Sequence, residues 1–538
     1  MSTDQLPFLA TAQLTALSTL TIQELKTSQI PSLSTQQIGS LLQTQVAALK
    51  TDQIQSLTSA QIAALSSQQV VSLTPLQITA LTTSQFQAMT TAQLSALTTS
   101  QISNIETTDL QALAANNSQI QSLSSNQLAA LSTQQVSTLF ALSSLGLTSK
   151  QVAVINTAAL SALTTDQINH LSSAQIQGLA TSQVAALTPT QLNNLSSDLL
   201  QALTSTSIAA IPTATLAAIS TSQISNFNST QIDALTSSQI AALTSDQIGS
   251  LSSTQITGLG GAGVALLSTT QISGMGSDQI GGLGTDLIKS LTTTAIKNLT
   301  TQQIGFLNSA QVAALTTAQV KSLTSEQLNS LSAENVSALE TADIAALATA
   351  SVAGLSTLQV VGLTTAQAAA LSSSQALGLT TLQLFNMQTV DLTSLATASV
   401  QALSTLQVVA LNTWSVAALS SDQVAALNSA QVAALTTWQL AAMETFDVAA
   451  LATASVAALN TWQVVALTTA QASAITSSQA AALGTTQAFF LETRDLAAIA
   501  TASIAGLGTS QIAALATNAI AGLTTAQAAA LSSSQALG

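Results

Sequence analysis

Leu315-Thr316-Thr317-Ala318-Gln319-Val320-Lys321-Ser322 is followed at once by Leu323-Thr324-Ser325-Glu326-Gln327-Leu328-Asn329-Ser330, and the second octapeptide repeats the pattern of the first. The unit L-[ST]-[ST]-x-Q-[VIL]-x-x opens at residues 1, 9, 17 and every eighth residue to Leu113, then again from Leu123 to Leu531. A ten-residue unit joins the two runs, with its two extra residues around Ala115-Asn116-Asn117. All 67 first positions are Leu, Ile, Met or Phe, 15 in the first run and 52 in the second. A period this short and this regular is the signature of a solenoid, whose units bury a core only by stacking. The expected organisation is therefore two continuous solenoid segments, 1–122 and 123–538, and not a set of separate domains.

The apolar positions 1 and 6 decide between helix and strand. They are five residues apart, so strand alternation would put them on opposite faces, whereas position 6 and the next position 1 are three apart, a helical spacing. Ala, Leu and Gln are good helix formers. Thr or Ser at position 2 with Gln at position 5 forms a capping box, in which hydroxyl and amide satisfy backbone N–H groups at a helix start. Pro75 and Pro189 both stand at position 3, the first helical residue in this reading, where proline is tolerated. Each octad is predicted to be a helix of little more than one turn, ended by the next Leu-Thr. Such helices are marginal alone, so stacking contacts of the small Ala and hydroxyl-bearing positions are expected to supply the stability. A triangular β-solenoid is the alternative; the Thr and Val content favours it, while the 22 glycines and the parity of positions 1 and 6 oppose it.

Residues that break the consensus give the number of octads per turn. Leu358, Leu382 and Leu406 occupy position 4 and are 24 apart, and so are Trp414, Trp438 and Trp462, the only tryptophans. Three octads per turn is the simplest account. Position 4 also accepts Asp52, Asp166, Asp246, Lys150 and Arg494, which marks it as solvent-facing. The Leu and Trp columns, with Phe446 at the same position, are then an exposed apolar strip of the kind that marks a partner surface. They form the candidate interface.

Composition excludes more than it names. Of 538 residues only 5% are charged and 2% aromatic, with no Cys, no Tyr, one His and one Arg. General acid–base and nucleophilic catalysis draw on His, Cys, Lys or paired carboxylates, so the chain is not expected to be an enzyme or to carry a cofactor. Seven basic residues against a net charge of −14 cannot build a phosphate-binding patch, and nucleic acid is not an expected partner. Apolar stretches are interrupted by Ser, Thr or Gln before reaching the roughly 20 residues of a membrane helix, so no transmembrane span is predicted. Absence of Cys fits a secreted bacterial protein. The opening Met1-Ser2-Thr3-Asp4-Gln5 lacks a basic and apolar leader, and export is expected by a leaderless route or a signal outside this chain.

Five octads carry acidic or amide groups: Glu106-Thr107-Thr108-Asp109, Glu340-Thr341-Ala342-Asp343, Gln388-Thr389-Val390-Asp391, Glu444-Thr445-Phe446-Asp447 and Glu492-Thr493-Arg494-Asp495. Calcium would need several oxygens converging on one point; the simpler expectation is that these carboxylates cap helix N-termini, with no metal bound. The glycine-rich stretch Gly258–Gly284 lacks the Lys-Ser/Thr of a phosphate loop. It keeps the octad register and is read as a thin or flexible stretch. His170 is solitary and is read as a surface residue.

The unit L-T-x-x-Q-[VI]-x-x-L resembles the tandem repeats of very long bacterial surface proteins often labelled haem-utilisation or adhesion proteins, and the resemblance covers essentially the whole chain. It implies an adhesive, cell-surface role; haem ligation would require axial His, Tyr, Cys or Met, and His170 stands alone. Leu73-Thr74-Pro75-Leu76-Gln77-Ile78 is also similar to the opening of transcription-activator-like effector repeats, whose longer repeat, base-reading loop and basic character are missing here. The expected function is a non-enzymatic structural or adhesive element, extracellular or on a bacterial cell surface, forming a rod, fibre or layer by self-association. Its weakly charged hydroxyl and amide surface would not repel a copy of itself, and its first and last octads carry no polar cap. A module that binds carbohydrate or another ordered surface such as ice, through Ser/Thr rows and the Trp column, is the second expectation.

Overall fold

The computed structural model describes residues 5–142 and 146–537. Met1, the expected opening of the first octad, and Gly538, the expected close of the last, lie outside the described residues. The described residues form 64 α-helices of four to eight residues and two 3-10 turns, Leu6–Phe8 and Ile30–Ser32, and no strand. The chain is an all-α repeat solenoid with almost every octad a helix of its own. The expected β-solenoid alternative does not occur.

Most helices start as the sequence predicts. At Thr436 the backbone is extended (φ −69°, ψ 157°), and its hydroxyl accepts the N–H of Gln439 at 3.2 Å. In return the Gln439 side-chain carbonyl accepts the N–H of Thr436 at 2.9 Å. Pro75 and Pro189 are the first helical residues of Pro75–Ala80 and Pro189–Asn193. Replacing Thr436 by valine removes one cap acceptor at an exposed position. This is expected to cost about 1 kcal/mol, read as a small shift of the urea midpoint with an unchanged helical spectrum.

The helices form two compact units, Met1–Leu267 and Ser268–Gly538. In the first, Thr35–Ser40, Ser59–Ala64, Thr83–Ala88 and Thr107–Ala114 pack one on the next. In the second, Thr365–Ala369, Thr389–Ser394, Thr413–Ala417, Thr437–Ala442 and Thr461–Val465 do the same. Successive members of a stack are 24 residues apart, so three octads make one coil and each unit has three stacks of helices.

Three positions of the octad point inward. Position 6 is sealed completely along most of the chain, as at Ile78, Phe86, Leu94 and Val320, and position 1 lies just outside it. Position 5 is the third. Gln439 retains 3% of its surface, and most of the equivalent glutamines are buried, while Gln5 and Gln13 in the first coil are exposed and Gln167 and Gln279 are half-buried. Its amide nitrogen donates to the carbonyls of Val408 (3.0 Å), Val409 (3.2 Å) and Leu411 (2.6 Å), which belong to the coil below. The same bonds, reaching 28, 30 and 31 residues back, recur at Gln45, Gln77, Gln191, Gln231, Gln367 and Gln479. One side chain thus caps its own helix and ties it to the coil beneath. The expectation that small Ala and hydroxyl contacts do the inter-coil work is corrected by this ladder. A short helix leaves a large share of its carbonyls without an intrahelical partner, and the glutamine amide is the donor that reaches them.

The two extra residues are absorbed locally. Thr107–Ala114 runs two residues longer than most helices and Asn116 caps the next, Asn117–Gln121. The amides of Gln127 and Gln135 reach 30 and 33 residues back across the insertion, and Gln183 returns to 28 and 31. The glycine-rich stretch stays helical and in register, with Gly260 (φ +63°) turning the chain between Ser253–Gly258 and Gly260–Ala265. Between Thr133–Phe140 and Ser149–Val152 the octad 139–146 has no helix of its own among its described residues.

Candidate functional site

All seven residues of the candidate interface are exposed, and the geometry sorts them onto three helix stacks. Leu358, Leu382 and Leu406 stand on Thr357–Val361, Thr381–Asn386 and Thr405–Ala410, which pack in succession. Trp414, Trp438 and Trp462, 80%, 79% and 78% exposed, stand on the next stack, one per coil. Phe446 is on the third stack, on Thr445–Ala450. Position 4 points away from the buried positions 1, 5 and 6, and these seven side chains are left exposed.

Both columns are richer than their repeating residue. Phe385 and Val409, three residues after Leu382 and Leu406, widen the leucine column. Val390, one coil before Trp414, extends the tryptophan column, and one coil beyond Trp462 stand Phe489 and Phe490, their rings edge to face with centroids 5.3 Å apart. Val390 was legible, since it shares position 4 and the 24-residue interval. The phenylalanines and Val409 sit at positions 7 and 8, where the periodicity carries no message. Asn412, Thr413, Thr437, Asn460 and Thr461 surround the tryptophans with uncharged hydroxyl and amide groups.

The acidic octads depart from expectation. Glu106, Glu340, Glu444 and Glu492 stand at the N-cap position, yet none accepts a side-chain cap hydrogen bond. The aspartates of all five octads, including that opened by Gln388, occupy position 5, the glutamine position, and are buried with it: Asp109, Asp343, Asp391, Asp447 and Asp495. Asp343 accepts the N–H of Glu340 at 3.2 Å. The other four accept a hydroxyl from the coil below, Thr83 to Asp109 (2.7 Å), Thr365 to Asp391 (3.1 Å), Ser421 to Asp447 (2.8 Å) and Thr469 to Asp495 (2.8 Å). Burial pushes these four carboxyls above the usual aspartate range, and the hydroxyl bonds oppose it. Among the described residues no three His, Cys, Asp or Glu side chains converge as a metal set would.

His170 is half-buried and not a plain surface residue; its Nδ1 lies 3.2 Å from the carbonyl oxygen of Phe140, one coil below. A concavity of about 870 Å3 is lined by Ser173, Gln177, Gln201, Thr204 and Asn228, with Asp198 its sole ionisable group, so no acid–base pair meets there. No helix among the described residues is long and apolar enough to cross a membrane.

Stacked one-turn helices tied by buried glutamines define a tandem-repeat solenoid protein. The model of the ALTTAQ repeat matches at residues 42–75, 102–140, 208–245, 228–261, 262–293, 288–317, 336–373, 408–437, 440–477 and 490–525, more than half of the chain, and the chain belongs to that family. Each match spans several consecutive octads. No curated protein matches the chain. Among solved structures it aligns with a chain of one described as "Homology model of the full-length AP-3 complex in an intermediate open conformation", at 12% identity over 91% of this chain and 93% of that one, with a TM-score of 0.21. So low a score carries no structural argument.

Proposed function

We propose that the chain is a non-enzymatic structural and adhesive repeat protein of a bacterial cell surface or the extracellular space, which associates with copies of itself through its apolar columns. The observation that carries this reading is the repeated exposure of large apolar side chains on adjacent stacks of one unit, from Leu358 to Phe490. Covering three tryptophan rings gains on the order of 10–15 kcal/mol at about 25 cal/mol per Å2. That is comparable with the ~4–15 kcal/mol lost on association. One ring would not suffice; a column does.

The triple variant Trp414→Ser, Trp438→Ser and Trp462→Ser changes only exposed positions and is expected to keep the helical spectrum. The unaltered chain should form concentration-dependent assemblies in sedimentation velocity and negative-stain microscopy, and the variant should remain monomeric. Dispersed monomers of the unaltered chain at high concentration, or equal assembly by both, would remove the proposal.

A second reading rests on the tryptophan column alone. Aromatic rings repeated at every coil amid hydroxyl and amide groups suit stacking on the sugar rings of a polysaccharide. It is distinguished by retention on insoluble glycans that the triple variant loses, without polymer formation by either protein.

A further inference from the structure

Position 5 often keeps its bond to the coil below where glutamine is substituted, although the Ser415 hydroxyl is buried without a partner. In several octads where Gln is replaced, the new side chain still supplies a donor to the carbonyl 28 residues back. Ser399 donates to Leu371 (3.0 Å), Ser455 to Leu427 (3.1 Å) and Ser503 to Ile475 (2.7 Å). Asn335 shows the full arrangement: its Oδ1 accepts the hydroxyl of Ser309, 26 residues back, at 3.1 Å, and its Nδ2 donates to Leu307, 28 back, at 2.7 Å. Asp391, Asp447, Asp495 and Asp109 keep the first half of this pattern, each accepting a hydroxyl 26 residues back. An ionised aspartate has no donor for the second half. Oδ2 of Asp391 and Oδ2 of Asp495 are buried without a partner, and the carbonyls equivalent in register are those of Leu363 and Leu467.

We propose that these aspartates are held in the fold as neutral carboxylic acids, each donating its O–H to the main-chain carbonyl 28 residues back, so that the solenoid takes up protons to complete its ladder and is an acid-stabilised structure. A protonated aspartate has the shape and hydrogen-bonding complement of Asn335, with O–H in place of N–H. The proton comes from solvent and stays on the carboxyl oxygen. Ionisation would set a buried anion against a carbonyl oxygen, and at Asp109, Asp391 and Asp447 that charge would have no counter-ion, the costly alternative, whereas Asp495 has Arg494 3.7 Å away.

At Asp391 and Asp109 the surroundings leave little beyond the hydroxyl bond to oppose this, while the main-chain N–H of Glu444 at Asp447 and the Arg494 guanidinium at Asp495 favour the ionised form. Thr365–Ala369 and Thr413–Ala417, packed on either side of the Asp391 helix, hold no titratable group. Around Asp447 the groups are Glu444 on its own helix and exposed Asp422 on Ser421–Ala426, with none on Thr469–Ser473. Asp495 has Glu492 and Arg494 beside it, the guanidinium 3.7 Å from Oδ1 and 3.0 Å from Glu492, and none on Thr469–Ser473 or Thr517–Ile520. Asp109 has Glu106 on its own helix and none on Thr83–Ala88, Asn117–Gln121 or Thr133–Phe140. Because burial raises these carboxyls, the folded chain holds protons that the unfolded chain has released. Their contribution is complete below the unfolded aspartate range, near pH 3.9, and is lost as pH rises through the folded values. Glu326, fully exposed and held low by backbone and Thr324 hydrogen bonds, acts with the opposite sign.

The test is thermal unfolding of the full chain at about pH 4 and about pH 7.5, beside the triple variant Asp391→Asn, Asp447→Asn and Asp495→Asn and the surface control Asp422→Asn. The unaltered chain should melt several degrees higher in acid. The triple variant should melt at near-neutral pH as high as the unaltered chain does in acid, with its pH dependence flattened, and the control should leave the dependence unchanged. Infrared spectra of the folded protein supply a readout independent of unfolding: a protonated carboxyl stretch at near-neutral pH that the triple variant lacks. A chain no more stable in acid, a variant with the original pH dependence, or the absence of that stretch would overturn the proposal.

Discussion

Gln439→Leu is expected to destabilise its coil by about 3–6 kcal/mol, several times the effect of losing the neighbouring hydroxyl cap. Leucine fills much the same volume, so the penalty comes from polar groups left behind. The N–H of Thr436 loses its side-chain acceptor, and the carbonyls of Val409 and Leu411 lose their glutamine donor, while that of Val408 keeps the N–H of Leu411 at 3.2 Å. A buried donor or acceptor left unpaired costs ~1–3 kcal/mol. In a solenoid, stability is a sum of repeat and neighbour terms, so the damage should stay local: amide exchange should accelerate in the coils around 408–442 and remain unchanged in the first unit. Uniform acceleration along the chain, or none, would contradict the ladder. Gln439→Glu separates geometry from donor chemistry, because glutamate retains the cap acceptor and loses only the N–H groups aimed at the carbonyls.

The second large effect is expected at the axis of the coil. Phe86 at position 6 is fully buried, among the largest sealed side chains of the chain. Phe86→Ala should cost about 3–5 kcal/mol through lost transfer energy and the cavity left behind, lowering the urea midpoint of the first unit. Ala368, Ala376, Ala472, Ala480 and Ala488 occupy the same position naturally and are fully buried there. Alanine is therefore compatible with the backbone, and the penalty at residue 86 isolates packing. An unaltered midpoint would show that the coil closes over the gap.

The octad register, the short helices, the caps at position 2 and the three-octad coil are legible because each depends on residues within 24 positions that repeat their identity. The second task of glutamine is not, since its amide partners are main-chain carbonyls, which every residue has, in a coil defined only after folding. A trace did exist. Gln persists at position 5 where position 2 has lost its hydroxyl, as after Leu42, Lys50, Ala180, Gly484 and Gly508, and there its carbonyl still accepts the N–H of the cap residue. Half a capping box would not hold a residue so firmly. The exposed leucine and tryptophan columns were readable from spacing, while their sorting onto separate stacks follows from the coil. The aspartates mislead because their charge argues for the surface while their place in the octad argues for the interior, and the place prevails.

The ladder also bears on how such a chain comes to be folded at all. The glutamine bonds between coils reach back 28 to 33 residues in a chain of 538, which places relative contact order below the ~0.07–0.12 of small helical bundles. Each octad needs only chain that has already been synthesised, and the carbonyls awaiting its glutamine belong to a finished coil. Within a unit, folding can therefore proceed vectorially at the pace of translation, without a long-range nucleus and with little exposed intermediate surface to aggregate.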